Sequence, residues 1–180
     1  LFERDLPRKV VGAEAVYFYY AGHGTPGADG TYLAPYDAEI DFAESMYPVA
    51  KVVASLQALD SKKVVMLMDT CFSGKGDRSL PASGRLLRIV SEEDAVFPQI
   101  DAKKTVYMSA TTSKMRSFDY DEKKSGLFTY FLTEGMGGAA DASKDGLITA
   151  VELHAYVEDK ILETVRMNPE KYGDDQRPTM

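Results

Sequence analysis

A chain of 180 residues with 44% hydrophobic content, no tryptophan and a formal charge of −7 suits one globular domain that withdraws about 70% of its unfolded surface from water. Its longest apolar runs, Val64 to Met68 and the stretch from Ala15 to Ala21, fall well short of the ~20 residues that a bilayer-spanning helix needs. Acids outnumber bases 28 to 21 and the isoelectric point is near 4.9. That balance argues against a nucleic-acid partner, which would require a clustered basic face, and suits cationic partners instead.

In chain order, residues Leu1 to Val10 read as a short helical stretch. Ala13 to Tyr20 is rich in β-branched and aromatic residues and stops at the Gly-rich break Gly22 to Gly27, which predicts a buried strand running into a loop. Met46 to Leu59 carries Val49, Val52, Val53, Leu56 and Leu59 on one helical face, with Pro48 tolerable in the first turn. Lys63 to Met68 and Thr105 to Ser109 repeat the pattern of a short apolar strand followed by an abrupt polar turn. Strand, helix and strand together predict a β-α-β crossover, hence parallel neighbours whose C-terminal ends open into one crevice. Between the later strands, Ser73 to Asp101 is rich in Gly, Ser and charge. A connection of that length inside one domain predicts an active-site lid, a binding loop or a disordered segment, and it offers Lys75, Arg78, Arg85 and Arg88 to proteases.

Gly126 to Gly135 and Ala150 to Arg166 complete the helices, the second with Leu153, Val157, Ile161 and Val165 at steps of four. His154 lies off that stripe and is expected at the surface. Before the last helix, Asp141, Ser143, Asp145, Gly146, Ile148 and Glu152 match positions of an EF-hand calcium loop. The competing reading is a polar turn, a short Leu147-Ile148 strand and a capping box from Thr149 to Glu152. After Asn168-Pro169 the chain reads as a solvated, mobile tail.

The chemistry gathers where two strands end. Cys71 is the single cysteine, so no internal disulfide forms, and it is either a buried structural thiol or a nucleophile; a lone reduced thiol leans toward the cytoplasm. His23 stands just past the first strand and Cys71 just past the second. On adjacent parallel strands about 4.8 Å apart, the imidazole and thiol come within side-chain reach. A cysteine attacks as thiolate, and a neighbouring imidazole either takes its proton or favours its charge. Gly22 and Gly24 let the backbone turn sharply there, and the amides of Gly24 and Cys71 could receive the oxyanion of a tetrahedral intermediate.

The segments Tyr20-Ala-Gly-His-Gly24 and, 48 residues from His23 to Cys71, Asp69-Thr-Cys-Phe-Ser-Gly74 resemble the caspase-like cysteine peptidases, in particular the metacaspase and bacterial orthocaspase branch. Ser109 to Thr111, Ser125 to Thr129 and Asp145 to Leu153 resemble the small-subunit half of bacterial members. The resemblance implies an α/β fold: a caspase-haemoglobinase-like three-layer sandwich, with a mainly parallel sheet and helices on both faces. It divides the chain into the end of a large-subunit-like part (1–72), an intersubunit-type loop (73–101), a small-subunit-like part (102–168) and a tail (169–180). Such a sheet normally starts with strands ahead of the His strand, so the natural polypeptide is expected to be longer, or a partner chain to complete the sheet.

The resemblance further implies a Cys-His dyad of Cys71 and His23, an oxyanion hole at Gly24 and Cys71, and substrate contacts from Asp37, Asp69, Ser109 and Ala110. Asp69 also stands out physically, since a carboxylate among apolar neighbours is costly unless something cationic meets it. Two pocket acids would select protein or peptide substrates with Arg or Lys at P1, the residue whose carbonyl is attacked. The chemistry then needs no cofactor; calcium activation is common in that branch, but its usual calcium site has no counterpart in this sequence, and the candidate ligands Asp141, Ser143, Asp145 and Glu152 sit where the capping-box reading is the favoured one, while cutting within the 73–101 loop is the expected processing. Two other classes stay open: a catalytically silent caspase-like interaction module, and a calcium-binding regulatory domain.

Overall fold

A computed structural model of the chain describes residues 2–27, 30–39, 45–71, 98–111, 117–172 and 176–180. A short helix α1 (Leu6–Lys9) precedes strand β1 (Ala13–Ala21), and a hairpin of β2 (Gly24–Gly27) and β3 (Gly30–Leu33) follows. Strand β4 (Tyr47–Pro48) leads into helix α2 (Val49–Gln57) and strand β5 (Ser61–Asp69). After β6 (Thr105–Ser109) come a small ladder, β7 (Asp119–Tyr120) and β8 (Ser125–Gly126), and helices α3 (Leu127–Glu134), α4 (Ala150–Met167) and α5 (Pro169–Tyr172). Most of the predicted 73–101 loop, with Lys75, Arg78, Arg85 and Arg88, lies outside the described residues.

The central sheet runs β1-β5-β6, all parallel, with Phe18 opposite Met66 and Met66 opposite Tyr107. Because strand side chains alternate between faces, β5 serves two cores at once. Val64, Met66 and Met68 pack against the buried face of α2, formed by Val49, Val52, Val53 and Leu56. Leu67 joins Met108, Leu127, Phe128, Phe131 and the α4 stripe Leu153, Val157, Ile161 and Val165 on the other side. The result is the three-layer arrangement implied by the resemblance. Helix α2 has no side-chain cap at its start, but the Lys104 ammonium donates to the carbonyls of Gln57 at 2.8 Å and Leu59 at 2.5 Å. A cation on the last carbonyls satisfies the helix end and favours its dipole.

Several elements depart from the reading of the sequence. β1 is half-exposed rather than buried, with Tyr17 64% and Tyr19 48% accessible, because it forms an edge of the sheet. The Gly-rich stretch is no plain loop: Gly24 pairs with Leu33 and Gly27 with Gly30 in an antiparallel hairpin, with Thr25 and Thr31 buried. The N-terminal helix is confined to four residues, and Leu147-Ile148 is not a strand.

The tail is anchored at particular residues: Tyr172, Gln176 and Pro178 are buried, while Pro169 to Lys171 and Arg177 are exposed. Tyr172 is buried against Phe118, with ring centroids 5.2 Å apart, and Thr179 exchanges backbone hydrogen bonds with Ser109 at 2.9 and 3.0 Å. The Gln176 amide is fully buried; its nitrogen donates to the Ala110 carbonyl at 3.2 Å, and its oxygen accepts from Phe118 N–H at 2.9 Å. A ring and an amide that find partners overcome a polar local composition. His154, half-buried, has Nε2 3.4 Å from the Pro178 carbonyl and helps hold the same segment.

Candidate active site

Sheet register determines where the chemically active side chains stand. Ala21 of β1 is opposite Asp69 of β5, and the Gly22 N–H donates to the Asp69 carbonyl at 3.2 Å. His23 and Cys71 each lie two residues beyond that rung, at the C-terminal ends of adjacent parallel strands. The His23 carbonyl accepts from the Ala34 N–H at 3.0 Å and from the Tyr20 hydroxyl at 2.8 Å, and that hydroxyl also lies 2.9 Å from the Ala34 carbonyl. Burial pushes the Tyr20 phenol above its usual 10.0, so it remains a donor. A Cβ at position 22 would fall 2.8 Å from the Tyr20 hydroxyl oxygen, so a side chain there would push that phenol off the His23 and Ala34 carbonyls. Thus β3 and Tyr20 fix the backbone at His23, while its imidazole is exposed.

Cys71 is fully buried. Its Sγ accepts the Ser117 N–H at 2.7 Å, and its S–H donates toward the Ser117 carbonyl at 3.8 Å. Asp69 is equally buried: the Ser117 hydroxyl donates to Oδ1 at 3.1 Å and the Thr129 hydroxyl donates to Oδ2. Those donors offset the desolvation of the carboxylate. Behind Thr129, the Tyr19 hydroxyl lies 2.7 Å from the threonine oxygen. One residue, Ser117, therefore touches both the thiol and the acid.

The predicted residues divide accordingly. His23, Gly24, Asp69 and Cys71 gather at the ends of β1 and β5, with Gly24 buried at the start of β2. Ser109 and Ala110 are buried at the neighbouring end of β6, where the Ala110 N–H donates to the Met68 carbonyl at 2.8 Å. Asp37 is exposed in the turn closed by the Ala38 N–H on the Pro35 carbonyl at 3.0 Å, three residues beyond the Ala34 that pairs with His23. Sequence reasoning did not single out Ser117 or Tyr19, and Tyr20 entered only as part of a resembling segment. Thr129 entered only as part of a resembling segment, since a hydroxyl 60 residues from its carboxylate leaves no local pattern.

In the calcium-like loop, the carboxylates bond the loop itself. Asp141 accepts from the amides of Asp145 at 3.3 Å and Gly146 at 2.9 Å, where Gly146 has φ +82°. Glu152 accepts from the Ser143 amide at 3.1 Å and from the Thr149 amide at 3.0 Å, and the Thr149 hydroxyl accepts the Glu152 N–H in return. This is the capping box. Among the described residues no three His, Cys, Asp or Glu side chains converge as metal ligands.

The amide and hydroxyl donors of Thr149, with the Ser143 amide, hold the Glu152 carboxyl down at about 2 from 4.5. A lowered folded-state value means that the cap stabilises above the ordinary carboxyl range and is lost as pH falls toward 2. The melting temperature of the native chain is thus expected to exceed that of Glu152→Ala at pH 6, with the gap closing between pH 4.5 and pH 2 in circular-dichroism melts. A constant gap would assign the effect to something other than the charged cap.

A comparison with curated proteins returned no match. A family profile described as the caspase domain matches residues 8–180, nearly the full chain. That match covers both strand ends, the hairpin behind His23 and the α3 and α4 layer, so the chain belongs to the caspase-domain family of cysteine peptidases.

Proposed function

We propose that this chain is a cysteine endopeptidase of the metacaspase and orthocaspase type that cuts protein substrates after Arg or Lys. The observation that carries the reading is a fully buried carboxylate, Asp69, two residues before the only cysteine and on the same strand end. A guanidinium or ammonium is the natural counterpart of such a group, whereas an acidic P1 would meet like charge.

In this mechanism the substrate displaces the resting contact between Sγ and Ser117, and His23 receives the thiol proton as sulfur attacks the P1 carbonyl carbon. The amides of Gly24 and Cys71 receive the oxyanion. Collapse of the intermediate breaks the C–N bond, and His23 returns the proton to the leaving amine. Water, deprotonated by His23, then releases the acyl group and restores the thiol. Asp37, exposed in the turn that follows the Ala34–His23 pairing, is the second acid available to a basic side chain. The carboxylates of Asp141 and Glu152 are taken up by the loop's own donors, so this loop does not fit calcium and no step passes through it; the Lys and Arg residues between 73 and 101 are where processing would fall.

One observation favours a second reading, a silent interaction module: Cys71 has no exposed surface at rest. Hydrolysis of peptides differing only at P1 (Arg, Lys, Asp, Asn), with Cys71→Ala as control and calcium present or chelated, separates the readings. Cleavage of the Arg and Lys peptides by the native chain alone is the expected result. Preference for Asp would remove the pocket assignment and keep the nucleophile, and no cleavage at all would leave the binding module.

A further inference from the structure

We propose that Thr129 is a specificity-positioning residue: its hydroxyl, backed by the phenol of Tyr19, holds the Asp69 carboxylate in the orientation that receives a basic P1 side chain. The inference rests on the basic-P1 reading above and adds residues that the resemblance did not assign to the pocket.

A carboxylate at the end of a strand turns about two side-chain bonds, and one hydrogen bond fixes a point rather than a plane. Ser117 fixes Oδ1 and Thr129 fixes Oδ2, so the two together define the plane of the group. The residue opposite Asp69 on the sheet is Ala21, whose side chain carries no donor. The donor comes instead from the first turn of α3, the helix whose Leu127, Phe128, Phe131 and Leu132 are seated in the core. Core packing therefore sets the position of the Thr129 oxygen.

Proton counting gives the direction of the chain. Thr129 has one hydroxyl proton, and it goes to Asp69. The contact between the Tyr19 and Thr129 oxygens at 2.7 Å is thus a donation from the phenol. A hydroxyl that accepts while it donates is a stronger donor. Tyr19, opposite Leu67 on the sheet face that carries α3, is 48% exposed, so the relay runs from the protein surface to the buried acid. A guanidinium fork needs a carboxylate of fixed plane for two parallel bonds, and each carboxylate oxygen can accept more than one donor.

The test compares Thr129→Val, which keeps the shape and removes the hydroxyl, with Thr129→Ser, which keeps the hydroxyl, and with Tyr19→Phe. Three quantities are read: kcat and KM for peptides with Arg, Lys or Gln at P1; the pH dependence of Cys71 alkylation by iodoacetamide; and the melting temperature. Loss of a hydrogen bond to a charged group predicts that Thr129→Val lowers the Arg-over-Gln preference about ten- to a hundredfold, through KM. Thr129→Ser restores the preference, Tyr19→Phe lowers it by a smaller factor, and the midpoint of the alkylation profile does not move. Equal losses on Arg and Gln peptides, a shifted alkylation midpoint, or lack of rescue by serine would make Thr129 a merely structural residue and overturn the proposal. A native chain that prefers basic P1 while Thr129→Val keeps that preference overturns this inference alone. A native chain with no basic preference overturns the P1 reading and this inference with it. Should Thr129→Val fail to fold, Tyr19→Phe decides: an unchanged preference there overturns the relay.

Discussion

His23→Ala is expected to lower kcat/KM for a basic-P1 peptide by about 10²- to 10⁴-fold, the range that a positioned general acid–base group supplies, without lowering the melting temperature. The two halves of the expectation come from different parts of the same residue. His23 is exposed, and exposed substitutions of this kind usually stay within about 0.5 kcal/mol. The braces from Ala34 and Tyr20 both end on the His23 backbone carbonyl, which alanine retains. Steady-state kinetics and a thermal melt on the same preparation check both halves. Activity within tenfold of the native chain would remove His23 from the chemistry. A large drop in melting temperature would mean that the ring is part of the scaffold.

Phe128→Ala carries the largest expected loss of stability, about 3–5 kcal/mol, against a total of about 5–15 kcal/mol for a domain. Phe128 has no exposed surface and joins Leu67 and Met108 of the sheet with Leu132 and Ile161 of the helices. Removing the ring deletes buried apolar surface and leaves a cavity that two packed layers cannot close. Tyr36→Ala, at a fully exposed side chain in the turn after β3, is the matched control and should shift stability by less than about 0.5 kcal/mol. Urea midpoints with unchanged slope give the comparison. A shift below about 1 kcal/mol for Phe128→Ala would contradict the seating of α3 on the sheet.

The sequence makes the three parallel strands legible because each is a concentrated apolar run cut off by a polar turn. Thr105 to Ser109 is read with the boundaries the structure has, and the α2 and α4 stripes bury the residues their spacing selects. His23 and Cys71 are legible for the same reason, since a residue just past a strand end inherits its position from the strand. The hairpin at Gly24 to Leu33 is not, because Gly and Pro carry little strand propensity and four-residue strands are too short to show a period. The hydroxyl donors around Asp69 are illegible for another reason: Tyr19 and Thr129 are 110 residues apart and meet only once α3 is seated. The tail misleads because its anchors are single residues in a polar context, Tyr172 and Gln176.

Gln176 clasps Phe118, the residue next to the Ser117 amide that reaches Sγ, and it does so from near the far end of the chain. Synthesis runs from the other end. A nascent chain still on the ribosome makes His23, Asp69 and Cys71 long before it makes Gln176, so Cys71 exists for a time without the clasp on Phe118. The hydrogen bond that holds Phe118, next to the residue that bonds the thiol, therefore forms only once residues more than a hundred positions beyond Cys71 have been made.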